Sequence, residues 1–195
     1  VTRSAEAGEE FHRELGEVMH YGCVRLGVEP LPRGAGRVVH FEVDTTRIPQ
    51  AWCDAVSEGI DDALQSGVLR GYPVQDVKVR VLDMPRREGE SSPAAYRMAA
   101  AMALKSVLVA ASPLLLEPIM WLEASAPDAF VGEVVGLLGS KNAKIENIID
   151  KGGIKIIQAY APLGQLFGFS TQLRSGTQGR ASFMMKFAKF DIRGV

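Results

Sequence analysis

The chain has 195 residues, of which 47% are hydrophobic, so it can bury one large core or two modest ones. Its formal net charge of −1 excludes a protein that binds nucleic acid through an overall positive charge. The two cysteines, Cys23 and Cys53, have no metal-type spacing. This argues against a zinc site and a disulfide scaffold, and it favours a reduced, cytoplasmic setting.

Charge and hydrophobicity vary along the chain. Residues 116–195 carry nine Lys and Arg against seven Asp and Glu, whereas the preceding residues carry 13 against 16. The longest apolar stretch, residues 99–116, is interrupted by Lys105 and Pro113, so we expect a buried helix and no membrane partner. The chain begins with Val1 and shows no secretory leader, and we expect a monomeric fragment of a longer protein.

The first 43 residues predict strands. Residues 1–14 are polar and are compatible with an edge strand. Residues 21–28 and 38–43 alternate apolar and polar side chains on either side of a loop rich in proline and glycine. We therefore predict that these two segments form a β-hairpin.

Two helices are predicted to cover the sheet of this first half. The first begins at Pro49 and ends at Gly67, and the second runs through residues 94–111 after Ser92, whose side chain suits a helix N-cap. Between them, residues 72–82 alternate with valines and predict a half-buried strand. The apolar face of the first helix contains Trp52, Val56, Ile60, Ala63 and Leu64.

After a junction at residues 112–118, the predicted elements follow the order β-α-β-β-α-β. Two right-handed βαβ units in this order give a four-stranded antiparallel sheet with both helices on one face, the ferredoxin-like arrangement. In the last strand, Phe183, Met185 and Phe187 are predicted to lie on the face beneath the helices. The strands are predicted at residues 119–126, 143–150, 154–160 and 181–190, and the helices at 129–140 and 164–174.

The sequence predicts no catalytic, cofactor-binding or metal-binding residues. It contains no G-x-x-x-x-G-K-[ST] loop for nucleotide phosphates. Its histidines, His12, His20 and His40, have no carboxylate or cysteine at a spacing that suits a metal site. Cys53 lies beside Trp52 on the first helix and is most simply a buried thiol.

Local groups of cations are the candidates for an interaction site. Arg86 and Arg87 follow the valine-rich strand, although Glu88 and Glu90 cancel much of their field. A group of lysines surrounds the middle hairpin of the second half, where they could contact phosphates or keep an exposed sheet soluble. These lysines are Lys141, Lys144, Lys151 and Lys155.

Arg174 and Arg180 lie on either side of a Ser-Gly-Thr-Gln-Gly turn. Because the turn is short, the two guanidinium groups could converge on one acceptor. The structural alternatives are that the arginines cap the helix or form a salt bridge with Asp150 or Asp128. The sequence does not decide between these interpretations.

Several segments resemble, in the same order, the C-terminal part of elongation factor G, the translocation GTPase of the ribosome. The resemblance runs from about Tyr21 to Asp191. The segments that carry it are GYPVQDVKV (71–79), ESSPAAYRMAAAMALK (90–105), LLLEPIM (114–120), GEVVGLLGSKNAKI (132–145) and PLGQLFGFSTQLRSGTQGRASF (162–183).

The resemblance implies an α+β protein of two domains. Residues 1–114 would be domain IV, a ribosomal protein S5 domain 2-like α/β fold that acts as a wedge at the decoding site, near the tRNA and mRNA. Residues 115–195 would be domain V, a ferredoxin-like anchor at the GTPase-associated centre of the large subunit. The resemblance also implies that GTP and Mg²⁺ bind a GTPase domain outside these residues, so that this fragment is not itself an enzyme.

On this resemblance, the basic residues become candidate contacts with ribosomal RNA. Arg174 has an alternative role, bracing its helix against domain IV or an absent domain. The candidate contacts are His20, Arg86, Arg87, Lys141, Lys144, Lys151, Arg174 and Arg180.

The sequence departs from the family at the expected tip of domain IV. A glycine-rich GGRGQ-type loop is replaced by ELGEVMH, with Glu17 in place of a cationic tip, and Arg87 stands where the family has a histidine. These changes indicate a divergent paralogue that acts in translocation, ribosome recycling or ribosome protection. The alternatives outside the family are a small-molecule enzyme, which would need a phosphate loop or an acid–base pair, and a protein-only interaction domain.

Overall fold

The computed structural model describes residues 1–192, with every side chain except that of Leu15. The chain divides into two compact units: the first unit, Val1–Leu114, and the second unit, Leu115–Val195. The last three residues of the second unit lie outside the described part. Within residues 1–192, no helix is both long enough and apolar enough to span a bilayer.

The first unit is a four-stranded sheet covered by two helices. The strands lie in the order β1-β2-β4-β3, and all neighbours are antiparallel except β3 and β4, which are parallel. In the central pair, Val28 of β2 lies opposite Val79 of β4. The elements are β1 (Ala5–Leu15), β2 (Val18–Pro30), β3 (Arg37–Phe41), α1 (Gln50–Ser66), β4 (Val77–Asp83) and α2 (Pro93–Ala110).

The core of the first unit lies between the two central strands and the helices. Both helices begin and end close to the predicted residues: the Ser92 hydroxyl accepts a hydrogen bond from the Ala95 N–H at 3.3 Å, and Gly67 ends α1 with a φ of 57°. Alternate residues of β2 and β4 point into the core and are fully buried: Val24, Leu26, Val28, Val77, Val79 and Val81.

The predicted hairpin between residues 21–28 and 38–43 is wrong. β2 instead forms a hairpin with β1 through a turn at Gly16, whose φ is 70°, and β4 lies between β2 and β3. A central strand must bury its inner face completely, and the three buried valines of β4 satisfy this, whereas every residue of β3 is partly exposed. Residues 31–36 therefore carry the chain past β4 to the edge of the sheet.

Helix α2 lies closer to its neighbours than ordinary side chains would allow. A Cβ atom added to Gly22 of β2 would lie 2.4 Å from the carbonyl carbon of Ala95 and 2.5 Å from the backbone nitrogen of Tyr96. A Cβ atom added to Gly59 of α1 would lie 2.2 Å from the carbonyl oxygen of Arg97. These two glycines therefore allow direct backbone packing of α2 against β2 and α1.

The second unit has the predicted ferredoxin-like topology. Its four strands are antiparallel in the order β6-β7-β5-β8. Both helices pack against the same face of the sheet, since Val134 of α3 and Phe169 of α4 share one core with Leu122 of β5 and Ile157 of β7. The elements are β5 (Leu116–Pro127), α3 (Val131–Ser140), β6 (Lys144–Asp150), β7 (Ile154–Pro162), α4 (Phe169–Gly176) and β8 (Ser182–Ile192).

The last strand is less covered than the sequence predicts. Phe183 does pack into the core, edge-to-face with Phe169 at a centroid distance of 5.0 Å. Met185 and Phe187 lie on the same predicted face, since they pair with Leu122 and Met120 in the sheet register, but they are 45% and 53% exposed because the helices do not extend over them. The reason is length: a helix of eight residues is about 12 Å long, whereas a strand of 11 residues extends about 37 Å.

We expect Gly22→Ala to lower the free energy of unfolding by about 1–3 kcal/mol, because the new methyl group must displace the backbone of α2. Urea denaturation followed by circular dichroism measures the change. Gly8→Ala on the adjacent strand β1 is the matched control, since its Cβ would be 3.6 Å from the nearest atom. Similar destabilisation by both substitutions would contradict the close approach.

Candidate nucleic-acid interface

The predicted contact residues of the first unit come together at one place. The loop that carries Arg86 and Arg87 docks on β2, where the Tyr21 N–H donates to the Glu90 carbonyl at 2.8 Å and the Ser92 N–H donates to the Tyr21 carbonyl at 3.2 Å. Nδ1 of His20, also on β2, lies 2.8 Å from the Ser92 hydroxyl. We call residues 12–20 and 84–92 the tip.

Arg87 is held by contacts within the first unit. Its guanidinium carbon lies 4.1 Å from the ring centroid of Tyr21, and its nitrogens lie 3.2 Å from Nδ1 of His12 and 3.5 Å from the Glu10 carboxylate. Burial raises the pKa of Tyr21 to about 12, so the ring that Arg87 covers stays neutral. Sequence reasoning missed these partners because His12 is 75 residues from Arg87 along the chain.

The tip has no excess of positive charge. Its two segments contain three arginines and four glutamates, and one of these carboxylates, Glu90, lies 3.3 Å from Nε2 of His12. Phosphates would therefore meet no net attractive field here, although Arg86 is exposed. The tip is suited to contact by shape more than by charge.

In the second unit, the predicted cations occupy different places. Helices α3 and α4 are antiparallel, because Lys141 at the end of α3 reaches the Phe167 carbonyl just before α4, with Nζ at 3.5 Å. At the opposite end of this helix pair, the guanidinium of Arg180 lies 5.7 Å from the ring centroid of Phe130. Lys141 and Arg180 therefore mark the two ends of the helix layer.

Arg174 lies on the exposed side of α4. Among residues 1–192, its side chain has no hydrogen bond and no ion pair. The alternative of a salt bridge with Asp128 or Asp150 is wrong, because Lys155 takes both carboxylates, with Asp128 at 3.6 Å. Convergence of Arg174 and Arg180 on one acceptor stays a prediction.

The lysines do not form one surface. Lys144 lies opposite Tyr160 in the sheet register and points away from the helices, where it also lies 3.8 Å from Glu146. Lys151 is exposed in the turn between β6 and β7. The Asp128 N–H donates to the Gly153 carbonyl of this turn at 3.2 Å, so the turn lies at the same end of the sheet as Asp128. Their proximity in sequence to Lys141 therefore does not place all three on one face.

Helix α3 carries a bare face that sequence reasoning missed. Gly132, Gly136 and Gly139 follow the spacing i, i+4, i+7, so they line one side of the helix, and all three are exposed. A Cβ atom at any of them would meet no described atom within 4 Å. Each glycine costs about 1 kcal/mol of helix stability relative to alanine, and no packing within the described part of the second unit accounts for that cost. We call these residues the glycine face.

A second missed signal is the distribution of charge within the second unit. Residues 151–190 contain six Lys and Arg and no Asp or Glu. This segment includes α4 and both of its flanking turns, so α4 contributes no acidic side chain to the helix layer. The layer does contain acids from other segments, such as Glu133 of α3. The helix layer therefore combines exposed cations with an accessible helix backbone, which suits a phosphate-rich partner.

Comparisons with known proteins cover both units. The family model for elongation factor G, domain IV, matches residues 1–112, and that for the elongation factor G C-terminus matches residues 114–193. Over 191 residues and 98% of its length, the chain is 42% identical to elongation factor G 2 of Syntrophus aciditrophicus (strain SB) and 40% identical to elongation factor G of Aquifex pyrophilus.

The chain spans 28% and 27% of the length of these two relatives. All of it also superposes, with a TM-score of 0.89 and 29% identity, on 29% of a crystal structure of a protein from Thermus thermophilus. The two family models, taken in order, account for nearly every residue of both units. The chain belongs to the elongation factor G family, of which it contains domain IV and the C-terminal domain.

Proposed function

We propose that the chain is the ribosome-binding part of an elongation factor G-type protein that acts in translocation. Family membership across both units supports the proposal. The observation that carries it is the helix layer of the second unit, where Arg174 has no partner among residues 1–192. A cation on an exposed helix that has no partner within the described residues is available to neutralise an external phosphate.

The second unit acts in this proposal as an anchor on RNA of the large subunit, at the GTPase-associated centre. Arg174, Arg180 and Lys141 would bind phosphates, which fix position without reading sequence. The glycine face would let the RNA backbone approach α3 more closely than side chains permit. Lys144 and Lys151 point elsewhere and would contribute less.

The first unit acts as a wedge at the decoding site, near the tRNA and mRNA. Its tip carries four glutamates against three arginines, which favours insertion by shape over attraction by charge. A wedge of this kind can favour one ribosome conformation only by its difference in contact energy between the two conformations. His20, Arg86 and Arg87 are its proposed contact residues.

The chemistry would take place elsewhere in the parent protein. We propose that GTP hydrolysis, with GTP and Mg²⁺, belongs to a GTPase domain outside these 195 residues, and that the parent acts in the cytoplasm as a monomer. Ribosome recycling or ribosome protection is the alternative, favoured by the changed residues of the tip. A parent protein that separates ribosomal subunits without moving mRNA would favour recycling over translocation.

We expect Arg174→Glu to weaken ribosome binding and to flatten its salt dependence, because one phosphate contact is lost and a repulsion is added. The measurement is co-sedimentation of the whole chain with ribosomes across a potassium chloride series. Lys105→Glu is the matched control, since Lys105 is also exposed and has no ion pair within residues 1–192 but lies on α2 of the first unit. Equal salt slopes for both variants and the original chain would remove α4 from the interface.

We expect Gly136→Ala to change stability and binding in opposite directions. The free energy of unfolding should rise by up to about 1 kcal/mol, because alanine is the better helix former and its methyl group meets open space. Ribosome binding should weaken several-fold, because the methyl group separates the helix from the RNA. Thermal melts and co-sedimentation test the two parts, and a stabilised variant with unchanged affinity would contradict close approach at the glycine face.

A further inference from the structure

Phe167 is displayed to solvent by a well-defined turn. It is 76% exposed, more than any other large hydrophobic side chain in residues 1–192. Its neighbours Leu166 and Phe169 are buried, with 7% and 1% exposure, and Gly168 between Phe167 and Phe169 has a φ of 77°. The backbone is therefore anchored on both sides of Phe167. The exposed ring contributes less to the stability of the fold than a buried ring would.

The two chain segments beside Phe167 carry cations and no acids, whereas Glu117, Glu146 and Asp191 line a cavity that Gly164 and Gln165 also line. Nζ of Lys141 lies 3.5 Å from the Phe167 carbonyl, which places an ammonium group beside the turn. The acid-free segment 151–190 contains the turn, and residues 134–145 of the neighbouring helix end are also free of Asp and Glu. The glycine face reaches this end of α3 at Gly139.

The open face of the same sheet is a weaker candidate for binding RNA. There Trp121 and Tyr160 lie side by side on the two central strands. However, Lys186 already lies over the Trp121 ring, with Nζ at 4.8 Å from its centroid, and the Glu123 carboxylate accepts a hydrogen bond from Gln158 in the next row. Within the part of the chain that the structure describes, Phe167 has neither a cation over its ring nor an acid in its own segment.

We propose that Phe167 stacks on an unstacked base of ribosomal RNA while Lys141 contacts a neighbouring phosphate. This rests on the proposed function and adds to it, because it specifies a looped or bulged RNA and not a regular duplex as the target of the second unit. Unpaired bases are recognised by stacking on aromatic side chains, with cations on the adjoining backbone. A duplex keeps its bases stacked on each other and offers this ring no partner.

The test is the dissociation constant of the whole chain for purified large ribosomal subunits, measured across a potassium chloride series. Phe167→Ala and Phe167→Leu should weaken binding roughly 5- to 150-fold, the range for loss of one stacked base. Phe167→Trp should bind at least as tightly as the original chain. The salt slope should not change in any of the three, because no charge is removed.

Tyr72→Ala is the control, since Tyr72 is also an exposed aromatic residue, at 59%, but lies in the first unit. Weak binding of Phe167→Ala together with full affinity of Phe167→Leu would show an apolar contact without base stacking and would overturn the proposal. Full affinity in Phe167→Ala together with weak binding of Arg174→Glu would overturn stacking and leave the proposed function standing. No binding by the original chain at low salt would overturn both.

Discussion

The first unit depends on the direct approach of helix α2 to the backbone of β2 and α1. Gly22 and Gly59 make the approach possible, because a Cβ at either would overlap backbone atoms of α2. The N-terminus of α2 then organises the tip: Ser92 caps the helix, bonds to the Tyr21 carbonyl and lies within 2.8 Å of Nδ1 of His20. The position of the loop that carries Arg87 therefore follows from helix packing.

Glycine has a different role in the second unit. Gly22 is required by atoms of its own chain, whereas a Cβ on Gly136 or its neighbours on the glycine face would meet no described atom within 4 Å. Glycine in an exposed helix lowers the stability of the helix, and here no packing among the described residues offsets that loss. In the proposed function, close approach of RNA to α3 accounts for this pattern, and the guanidinium of Arg180, 5.7 Å from the Phe130 ring centroid just before α3, supplies a cation beside the same helix.

The two units differ in how their charges are distributed, although the net charge of the whole chain is close to zero. Acids offset bases at the tip of the first unit, while residues 151–190 of the second unit carry only bases. An electrostatic anchor tolerates many RNA sequences because it binds phosphates, whereas a wedge without excess positive charge adds little non-specific affinity. In the proposed function, attachment and selection of a ribosome conformation can thus be tuned separately.

Local sequence signals predicted α1, α2 and α3, the β-α-β-β-α-β order and the family resemblance, whereas α4 begins at Phe169 and not at residue 164. Caps such as Ser92 and Gly67, and the 3.6-residue period of α1, are local signals that survive in any context. Three features became clear only from the folded chain: β4 separates β2 from β3, Arg87 contacts Tyr21 and His12, and Lys141 and Lys144 face different sides of the second unit. Strand order and side-chain partners depend on contacts between residues that are far apart in the sequence. Such contacts form only when the whole chain packs, so local patterns do not predict them.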